Sequence, residues 1–356
     1  MNQRYYIATP ISPDNFAGTK ARRDIETLAE SRGMQCIEFR GSNTANRSFS
    51  KRIALFWLGL SNWIHLGKVV APDALVLFQY PHYPLKSAVL SRLMMRRIQR
   101  KKRVRFVALV HDLNSIRKTF GKAAQYSDSQ FLRQFDYVVC HNEHMLVYLQ
   151  QQGFDPVRLF SLGVFDYLAD EPVAQAEVTY TPSVTIAGNL SREKSAYLHE
   201  LLSSDPGYLL YLYGAGLDAT INHAFVQYEG FASAETLPGL LLGAFGLVWD
   251  GDCMDTCSGN YGAYLTINNP HKLSLYLCAG IPVIIWSGAA LSGYITQNGL
   301  GFCVDALTEI GDKLKTIDAA TYRQMRERAA HEGVRIRNGY YFNQVMDFVE
   351  LTCFKK

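Results

Sequence analysis

The sequence predicts an α/β protein built from two doubly wound, Rossmann-like halves. Short apolar runs such as "VRFVALV" and "PVIIW" alternate with segments of helical periodicity. Near-continuous apolar strands in this alternation are typical of parallel sheets covered on both faces. A chain of 356 residues with 48% hydrophobic content is also long for one core. Two domains are therefore expected.

The first half contains six predicted strands and several helices. The strands are residues 5–8, 34–39, 73–81, 104–112, 135–142 and 157–165, and the helices are residues 21–32, 85–100 and 144–152. Gly33 and Gly153 follow two of these helices at the position where glycine usually ends a helix. The apolar segment 53–66 is too short and too interrupted to span a membrane, so it predicts a buried or interfacial helix.

The second half repeats the pattern after an acidic, proline-containing stretch. It begins with "SVTIAGNLSREKSAYLHELL", continues through the strands "YLLYLY" and "AFGLVW", and ends in a helical region from residue 309 to residue 354. Residues 253–269, rich in Gly, Asn and Tyr, are predicted as a loop. The predicted domains are residues 1–165 and 183–340, joined by a linker at 166–182 and followed by a last helix at 341–356.

Composition excludes several classes of protein. The formal charge of +4 is mildly basic, and no nucleic-acid-binding module accompanies it, so no nucleic acid partner is expected. The odd number of scattered cysteines, seven in all, argues against a disulfide framework and for the cytoplasm. The N-terminus lacks the apolar region of a signal peptide. Cys253 and Cys257 have no second ligand pair nearby, so no metal site is predicted.

Two motifs in the second half predict an anion site. In "SVTIAGNLSREKS", Gly188 and Asn189 follow a strand, and Arg192 and Lys194 are placed in the first helical turn, where N–H groups attract anions. The alternative is a solvated face. In "YLYGAG", Gly214 follows the next strand, which should lie beside the first.

The stretch "NPHKLSLYLCAGIPVI" is the most specific of these signals. Asn269 and Pro270 form a turn, and Lys272 lies in the first turn of the following helix with Leu273 beside it. The hydroxyl of Tyr276 is a further candidate. A lysine supplies a compact charge for phosphate, so a diphosphate site is predicted. The plain alternative is a surface lysine on an ordinary helix–strand unit.

Polar residues at strand ends of the first half are candidates for catalysis and acceptor binding. His111 and Asp112 end a strand, and either could take a proton from a hydroxyl, although Asp112 could equally cap the next helix. His82 in "QYPHYP" suits stacking on a sugar and suits ordinary packing equally. The loop at residues 9–20, with Asn15 and Gly18, should reach the same cleft.

A basic segment from Arg92 to Arg105 contains cations and no acid, interleaved with Leu93, Met94 and Ile98. A run of this kind is usually a solvated face. Its single sign and its apolar residues are also compatible with contact to an anionic membrane surface.

Five segments taken together resemble a bacterial glycosyltransferase group. They are "AGNLSREKSAYL", "LYGAG", "GLVWDGD", "GNYGAYLTINNPHKLSLYLCAGIPVIIW" and "GLGFCV", in that order, with weaker likeness in "ISPDNFAGTKARRD" and "HDLNSIR". The group includes the glucosyltransferase of serine-rich adhesin glycosylation and the galactofuranosyltransferases of surface polysaccharide synthesis.

The resemblance implies the GT-B fold, in which two Rossmann-like domains face a central cleft and the last helix crosses back to the first domain. It implies that Arg192, Tyr213, Asn269 and Lys272 contact the UDP of a UDP-sugar. It also implies that Asn15, Phe16 and Gly18 approach the acceptor or the donor sugar. The aspartates of "WDGD" do not lie in the fold context of an Asp-x-Asp metal motif. A metal-independent transfer is therefore expected, with UDP-sugar as donor substrate and no cofactor.

The expected function is transfer of galactofuranose or glucose from a UDP-sugar to a saccharide hydroxyl, with inversion assumed and Asp112 as the first candidate base. Two other readings stay open: a GT-B-type sugar-nucleotide epimerase, and a non-catalytic partner of another transferase. The acceptor is a lipid-linked saccharide or a glycopeptide. The sequence does not determine the sugar, the linkage or whether the chain forms a homo-oligomer.

Overall fold

A computed structural model describes residues 3–8, 17–41, 49–82, 88–117, 128–169, 179–218 and 220–354. The chain divides into two compact units. The N-terminal unit comprises Met1–Asp14, Arg22–Leu162 and Phe342–Lys356, and the C-terminal unit comprises Asn15–Ala21 and Gly163–Tyr341. Each contains one six-stranded parallel sheet, as the alternating pattern predicts.

The N-terminal unit is built on strands with mostly buried apolar residues. These are β1 (Arg4–Ala8), β2 (Gln35–Glu38), β3 (Leu75–Tyr80), β4 (Arg105–Val110), β5 (Tyr137–Cys140) and β6 (Leu159–Ser161). The helices between them are α1 (Ala17–Ser31), α2 (Phe49–Val69), α3 (Ala88–Lys102), α4 (Asn114–Arg117), α5 (Asp128–Leu132) and α6 (Glu143–Gln151). The sheet order is β2-β1-β3-β4-β5-β6.

An aromatic cluster fills the space between this sheet and α2. Trp63 of α2 stacks on Phe78 of β3 with ring centroids 5.9 Å apart, and Phe39 and Phe106 meet these rings edge-on or tilted. Asn62 fixes the same face of the helix, because its side chain accepts from the Arg40 N–H and donates to the Arg40 carbonyl. One side of α2 is thus anchored in the core.

The C-terminal unit repeats the architecture. Its strands are β7 (Ser183–Ala187), β8 (Leu209–Tyr213), β9 (Val226–Gly230), β10 (Phe245–Val248), β11 (Val283–Trp286) and β12 (Gly301–Val304). Its helices are α7 (Ala196–Leu201), α8 (Leu237–Leu240), α9 (Gly259–Leu265), α10 (His271–Cys278), α11 (Ser292–Gln297), α12 (Ile310–Thr316) and α13 (Ala319–Arg337). The sheet order is β12-β11-β10-β7-β8-β9, which places β7 between β10 and β8.

The last helix, α14 (Tyr340–Phe354), runs mostly through residues of the N-terminal unit, as the resemblance implies for the fold. Two ion-pair partners hold it there. Glu350 pairs with Arg4 at 2.7 Å and with Arg32 at 3.0 Å, and Asp347 pairs with Arg32 at 2.7 Å. Arg32 lies just past α1, so these contacts tie the end of the chain to its first strand and first helix.

Several predicted boundaries are wrong. Helix α1 begins at Ala17, four residues earlier than predicted, so Gly18 lies in a helical turn instead of a loop. The predicted strand 157–165 is reduced to Leu159–Ser161. The predicted loop 253–269 contains α9. Arg192 and Lys194 lie in a turn, and the helix that follows starts at Ala196.

Candidate functional site

The sheet order of the C-terminal unit brings three strand ends together. Because the strands are parallel, the carboxyl ends of β10, β7 and β8 lie at one edge of the sheet. Gly188 follows β7, Gly214 follows β8, and Trp249 and Asp250 follow β10. This edge, together with the start of α10, is the strand-end site of the C-terminal unit.

Gly188 and Gly214 allow the backbone to approach closely at this edge. Their φ angles are +138° and +137°, a region that residues with a Cβ rarely adopt. A Cβ on Gly214 would lie 1.7 Å from the Gly188 carbonyl oxygen, so no side chain fits there. The two glycines therefore leave a floor of bare backbone between β7 and β8.

Lys272 extends from the first turn of α10 to the ends of β7 and β10. Its ammonium donates to the Trp249 carbonyl at 3.1 Å and to Asp250 Oδ1 at 3.0 Å. Its stem passes Gly188, where an added Cβ would lie 3.6 Å from Lys272 Cε. The Lys272 side chain is 22% exposed. An ammonium has three N–H donors, and among the described residues the third has no protein acceptor.

The surroundings of Lys272 keep it charged. Burial alone would lower the pKa of its ammonium, but the Asp250 carboxylate, and after it the hydroxyls of Tyr197 and Tyr276, raise that pKa above its ordinary value. The lysine is therefore a fixed positive charge beside a helix N-terminus, where unpaired N–H groups and the helix dipole also favour an anion.

Tyr276 positions the helix that carries Lys272. Its hydroxyl accepts from the Ala187 N–H at 2.9 Å, and its ring covers Gly246 of β10, where a Cβ would lie 2.1 Å from the ring. Burial raises the pKa of the Tyr276 hydroxyl. Tyr276 and its neighbour Leu273 are both fully buried, so they act in the core beneath the site.

Asn269 and Ser274 fix α10 on the segment that enters the C-terminal unit. Asn269 Nδ2 donates to the Gly163 carbonyl at 3.0 Å, and Ser274 Oγ donates to the Phe165 carbonyl at 2.7 Å. Cys278 Sγ lies 3.5 Å from the Tyr167 carbonyl. The carbonyls of Gly163, Phe165 and Tyr167 thus each lie against a side chain of α10 or of the turn before it. Asn269 is 3% exposed and serves this contact.

The other predicted donor residues divide between the surface and the core. Asn189 and Arg192 are exposed, and Asn189 Oδ1 accepts from the Ser191 N–H, which fixes the turn. Tyr213 is 3% exposed. Its hydroxyl donates to the Leu240 carbonyl and accepts from the Leu242 N–H, and burial raises its pKa to about 12. The structure therefore places Tyr213 in a supporting position.

Sequence reasoning missed three residues of this neighbourhood. Asp250 belongs to the sequence "WDGD", which resembles a metal motif, and its ion pair with Lys272 is not evident from the sequence because the two residues are 22 positions apart. Tyr197 of α7 is fully buried next to Lys272 and raises the pKa of the lysine, and nothing in the sequence pattern singles it out. Tyr261 of α9 receives the Lys194 ammonium over its ring at 3.0 Å from the centroid.

In the N-terminal unit, His111 and Asp112 follow β4 as predicted, and both are half-buried. His111 Nε2 lies 2.7 Å from Gln79 Oε1, and the Gln79 amide donates in turn to Glu26 Oε1 at 3.1 Å. An amide oxygen can only accept, so His111 donates from Nε2, and Nδ1 is the nitrogen that can take a proton. Asp112 lies between β4 and α4.

Asp128 holds the residues that follow Asp112 in place through hydrogen bonds. It is 5% exposed, and its carboxylate accepts from the Ser115 N–H at 2.7 Å and from the Tyr80 hydroxyl. Both oxygens are thus engaged where α4 begins. The contact links β3 to the residues after β4.

The structure buries His82, a candidate for acceptor binding that suited sugar stacking and ordinary packing equally in the sequence. The imidazole is 6% exposed and meets Phe39 and Phe78 edge-on, with centroids 5.7 and 5.8 Å away. Burial lowers its pKa to about 3. His82 is a core residue because the aromatic cluster covers its ring. Asn15 and Phe16, predicted at the acceptor, lie outside the described residues.

Two domain families match the chain. "Glucosyltransferase 3-like, N-terminal domain" covers residues 4–164, and "Glucosyltransferase 3-like, C-terminal domain" covers residues 184–348. The chain is 32% identical over 339 residues to the beta-1,6-galactofuranosyltransferase WbbI of Escherichia coli K12, covering 94% of both chains. It is 26% identical over 245 residues to glucosyltransferase 3 of Streptococcus gordonii, covering 68% of this chain and 70% of that relative.

Solved structures share the fold. HepE of Anabaena, crystallised with UDP and glucose, superposes with a TM-score of 0.60 at 13% identity, over 98% of this chain and all of HepE. The lipopolysaccharide outer core galactosyltransferase WaaB gives a TM-score of 0.58 at 14% identity, over 98% and 99% of the two chains. These likenesses confirm the predicted GT-B fold. Together with the family matches they establish that the chain belongs to the glucosyltransferase 3-like family and is a glycosyltransferase.

Proposed function

We propose that this enzyme moves a hexose from a UDP-sugar to a hydroxyl group of a saccharide acceptor. The observation that carries the proposal is the charged, half-buried Lys272 at the junction of three strand ends and a helix N-terminus. A compact cation beside unpaired backbone donors is suited to a diphosphate. HepE, which shares the fold, was crystallised with UDP, with UDP and glucose, and with UDP-glucose.

In the proposed donor site, the lysine, the helix N-terminus, the two glycines and Arg192 each have a separate role. The third N–H of Lys272 and the first two backbone N–H groups of α10 bind diphosphate oxygens, and the bare backbone at Gly188 and Gly214 lets the nucleotide approach. The exposed Arg192 adds charge at the rim. When the sugar leaves, negative charge develops on UDP, and these fixed positive groups stabilise it without a metal ion.

The acceptor hydroxyl attacks the anomeric carbon, the bond from that carbon to the diphosphate oxygen breaks, and UDP departs. A base must take the hydroxyl proton. Asp112 is the first candidate, and this assumes that the reaction inverts the anomeric centre. His111 is the second, because its imidazole follows the same strand and its Nε2 contact with Gln79 fixes the orientation of the ring. Exchange of Asp112 for Asn should lower turnover far more than donor affinity, and near-normal turnover would eliminate Asp112 as the base.

The relatives suggest the donor sugar and the setting. One is named a galactofuranosyltransferase and two are named glucosyltransferases, so galactofuranose and glucose are the proposed sugars. The acceptor is a saccharide on a lipid carrier or a glycopeptide, in synthesis of cell-surface polysaccharide or glycoprotein. No described helix combines the length and apolarity needed to cross a membrane. The proposed location is the cytoplasm, with the basic segment 92–105 at the inner membrane face.

A panel of UDP-sugars tests the proposal and separates its alternatives. Ligand binding raises the melting temperature by mass action, so the true donor should stabilise the protein more than UDP-sugars it does not use. With that donor and a saccharide acceptor, the enzyme should release UDP and form a glycoside. Free sugar or an epimerised sugar nucleotide without acceptor would indicate the epimerase. Weak UDP binding without turnover would indicate a non-catalytic partner.

A further inference from the structure

Helix α2 presents an apolar stripe on the side that does not face the core. The stripe consists of Ile53, Phe56, Trp57 and Ile64, whose exposed fractions are 46%, 45%, 61% and 44%. Leu66, on the far side of the helix, is buried at 0%, and Trp63, on the flank between Leu66 and Phe56, is buried at 1%. Both sides of α2 are therefore apolar, and the folded N-terminal unit covers one of them.

The stripe is continuous along the helix. Ile53, Trp57 and Ile64 lie on one line of the helix, with the half-buried Leu60 between Trp57 and Ile64 and with Phe56 beside the line. Large apolar side chains exposed singly are normal, but a row that includes two aromatic rings marks an interaction surface. The sequence of α2 contains Lys51, Arg52 and Lys68 and no acidic residue.

Helix α3 lies alongside α2 in the same unit. A Cβ on Gly59 would lie 3.8 Å from Leu90 Cδ2, and one on Gly67 would lie 3.6 Å from Ile98 Cγ1. From the first contact to the second, the residue number rises by eight in each helix, from 59 to 67 in α2 and from 90 to 98 in α3. The two helices therefore run in the same direction, side by side. Lys102 at the end of α3 donates to the Val70 carbonyl at 2.6 Å, which closes the pair.

Helix α3 supplies a charge of one sign next to the stripe. Arg92, Arg96 and Arg100 follow one another at intervals of four and are exposed, and the helix contains no acidic residue. Val89 and Leu93 lie among them with exposed fractions of 68% and 61%. Cations and apolar side chains thus share the outer surface of this helix as well.

We propose that the outer surfaces of α2 and α3 dock on an anionic lipid bilayer, with Trp57 and Phe56 in the interfacial region and the α3 arginines at lipid phosphates. Aromatic rings favour the boundary between water and acyl chains, and basic side chains reach its anionic headgroups. A second copy of this chain is an unfavourable partner for this surface, because a symmetric contact would place two cationic helices against each other and their charges would repel. This inference rests on the proposed function. It specifies that function further, because an enzyme docked on a membrane meets an acceptor that is linked to a lipid.

Trp57 itself reports the docking. The chain has four tryptophans. Trp63 and Trp249 are buried, Trp286 is half-buried, and Trp57 is the exposed one. Vesicles of equal parts phosphatidylglycerol and phosphatidylcholine should shift the tryptophan fluorescence of the protein to shorter wavelength as Trp57 leaves water. Brominated phosphatidylcholine in the same vesicles should quench that fluorescence. Trp57→Phe should remove most of both signals while the protein still sediments with the vesicles.

Variants separate insertion from charge. Phe56→Ser with Trp57→Ser should abolish co-sedimentation, whereas the control Phe348→Ser, which removes a 57% exposed aromatic from another helix of the unit, should leave it intact. Arg96→Gln with Arg100→Gln should weaken partitioning about 25-fold, because each basic residue near an anionic surface contributes roughly five-fold. Pure phosphatidylcholine vesicles should bind much less protein.

Three results would overturn the proposal: no sedimentation with the anionic vesicles, undiminished sedimentation of the Phe56 and Trp57 double variant, or a change from dimer to monomer in that variant. UDP affinity without vesicles should be the same in all these variants and the wild type, which shows that they are folded. Vesicle binding by a protein that fails to use any UDP-sugar would leave the membrane surface standing and reject the proposed function.

Discussion

At the scale of single residues, Lys272 is held by two protein acceptors and keeps one N–H donor for a diphosphate. Asp250 and the Trp249 carbonyl take two of its donors, so the ammonium is oriented before any ligand arrives. Such pre-organisation reduces the entropy lost when the side chain binds phosphate. The lysine and its helix position were predictable from "NPHKLS", because a cation in a first helical turn is unusual. The Asp250 contact was not, because it depends on how β10 lies beside β7.

Gly214 provides a residue-scale prediction about the floor of the site. Gly214→Ala should lower the stability of the protein by at least about 3 kcal/mol, because the new methyl group would lie 1.7 Å from a backbone oxygen that cannot rotate away. Gly207→Ala is the matched control. Gly207 also has a positive φ, +79°, but an added Cβ there meets nothing within 4 Å.

Thermal unfolding measures both glycine variants. The control should cost about 1 kcal/mol from backbone strain alone. Equal losses of melting temperature in the two variants would show that the close approach of Gly188 and Gly214 is not present in solution. Gly214→Ala should also lose UDP binding, whereas Gly207→Ala should retain it.

At the scale of elements, α10 has two functions that share one helix. Its N-terminal turn carries Lys272, and its flank, with the turn before it, donates to alternate carbonyls of the segment from Gly163 to Tyr167. His271 adds a stacking contact with Phe165 at 4.6 Å between centroids. The position of Lys272 therefore depends on hydrogen bonds far from it in sequence.

Ser274→Ala should destabilise the C-terminal unit by about 1–3 kcal/mol, because it leaves the Phe165 carbonyl without this donor in a buried place. The melting temperature should fall by about 2–4 °C for each kcal/mol lost in a unit of this size. Ser203→Ala is the control, since Ser203 donates to the Glu200 carbonyl in an exposed position. A smaller effect for Ser274→Ala than for the control would reject the structural role of this contact.

The long, strongly patterned elements were predictable and the short ones were not. Buried strands such as β4 and β11 carry continuous apolar runs, and Gly33 and Gly153 end α1 and α6 with positive φ as expected. Helix α9 was missed because Gly259 and Gly262 look like loop residues. In the structure Gly262 lies where a Cβ would meet the Cys257 backbone at 2.4 Å, so tertiary packing and not helix propensity selects it. Helix α2 was predicted as a helix, but its exposed stripe requires knowledge of which side the core covers.

At the scale of the whole molecule, two histidines make stability depend on pH: His82, which is buried, and His271, which is half-buried. Burial lowers the pKa of His82 to about 3 and, with the neighbouring Lys20, that of His271 to about 4. Both values lie below the ordinary 6.5. Above pH 6.5 both rings are neutral whether the chain is folded or unfolded, so they contribute no pH dependence. As the pH falls below 6.5, the unfolded chain takes up protons that the folded chain does not, and stability is lost.

The loss should continue until the folded-state pKa values are reached near pH 4 and pH 3. At pH 5 each histidine should cost about 2 kcal/mol relative to pH 7.5. His271→Phe keeps the stacking on Phe165 and removes one of these groups, so its melting temperature should fall less between pH 7.5 and pH 5 than that of the wild type. An identical fall in both proteins would contradict a His271 that stays neutral in the folded protein at pH 5.

The most direct test of the central claim is calorimetry of UDP binding to three proteins: the wild type, Lys272→Ala and Lys313→Ala. Lys313 is a matched control, because it donates to the Cys303 carbonyl and pairs with Glu309 in the same unit, as Lys272 does with Trp249 and Asp250. A charge-assisted hydrogen bond to phosphate contributes about 1.5–3 kcal/mol. Lys272→Ala should therefore weaken UDP binding about 10- to 100-fold while Lys313→Ala leaves it unchanged. Equal UDP affinity in all three proteins would contradict a diphosphate site at Lys272.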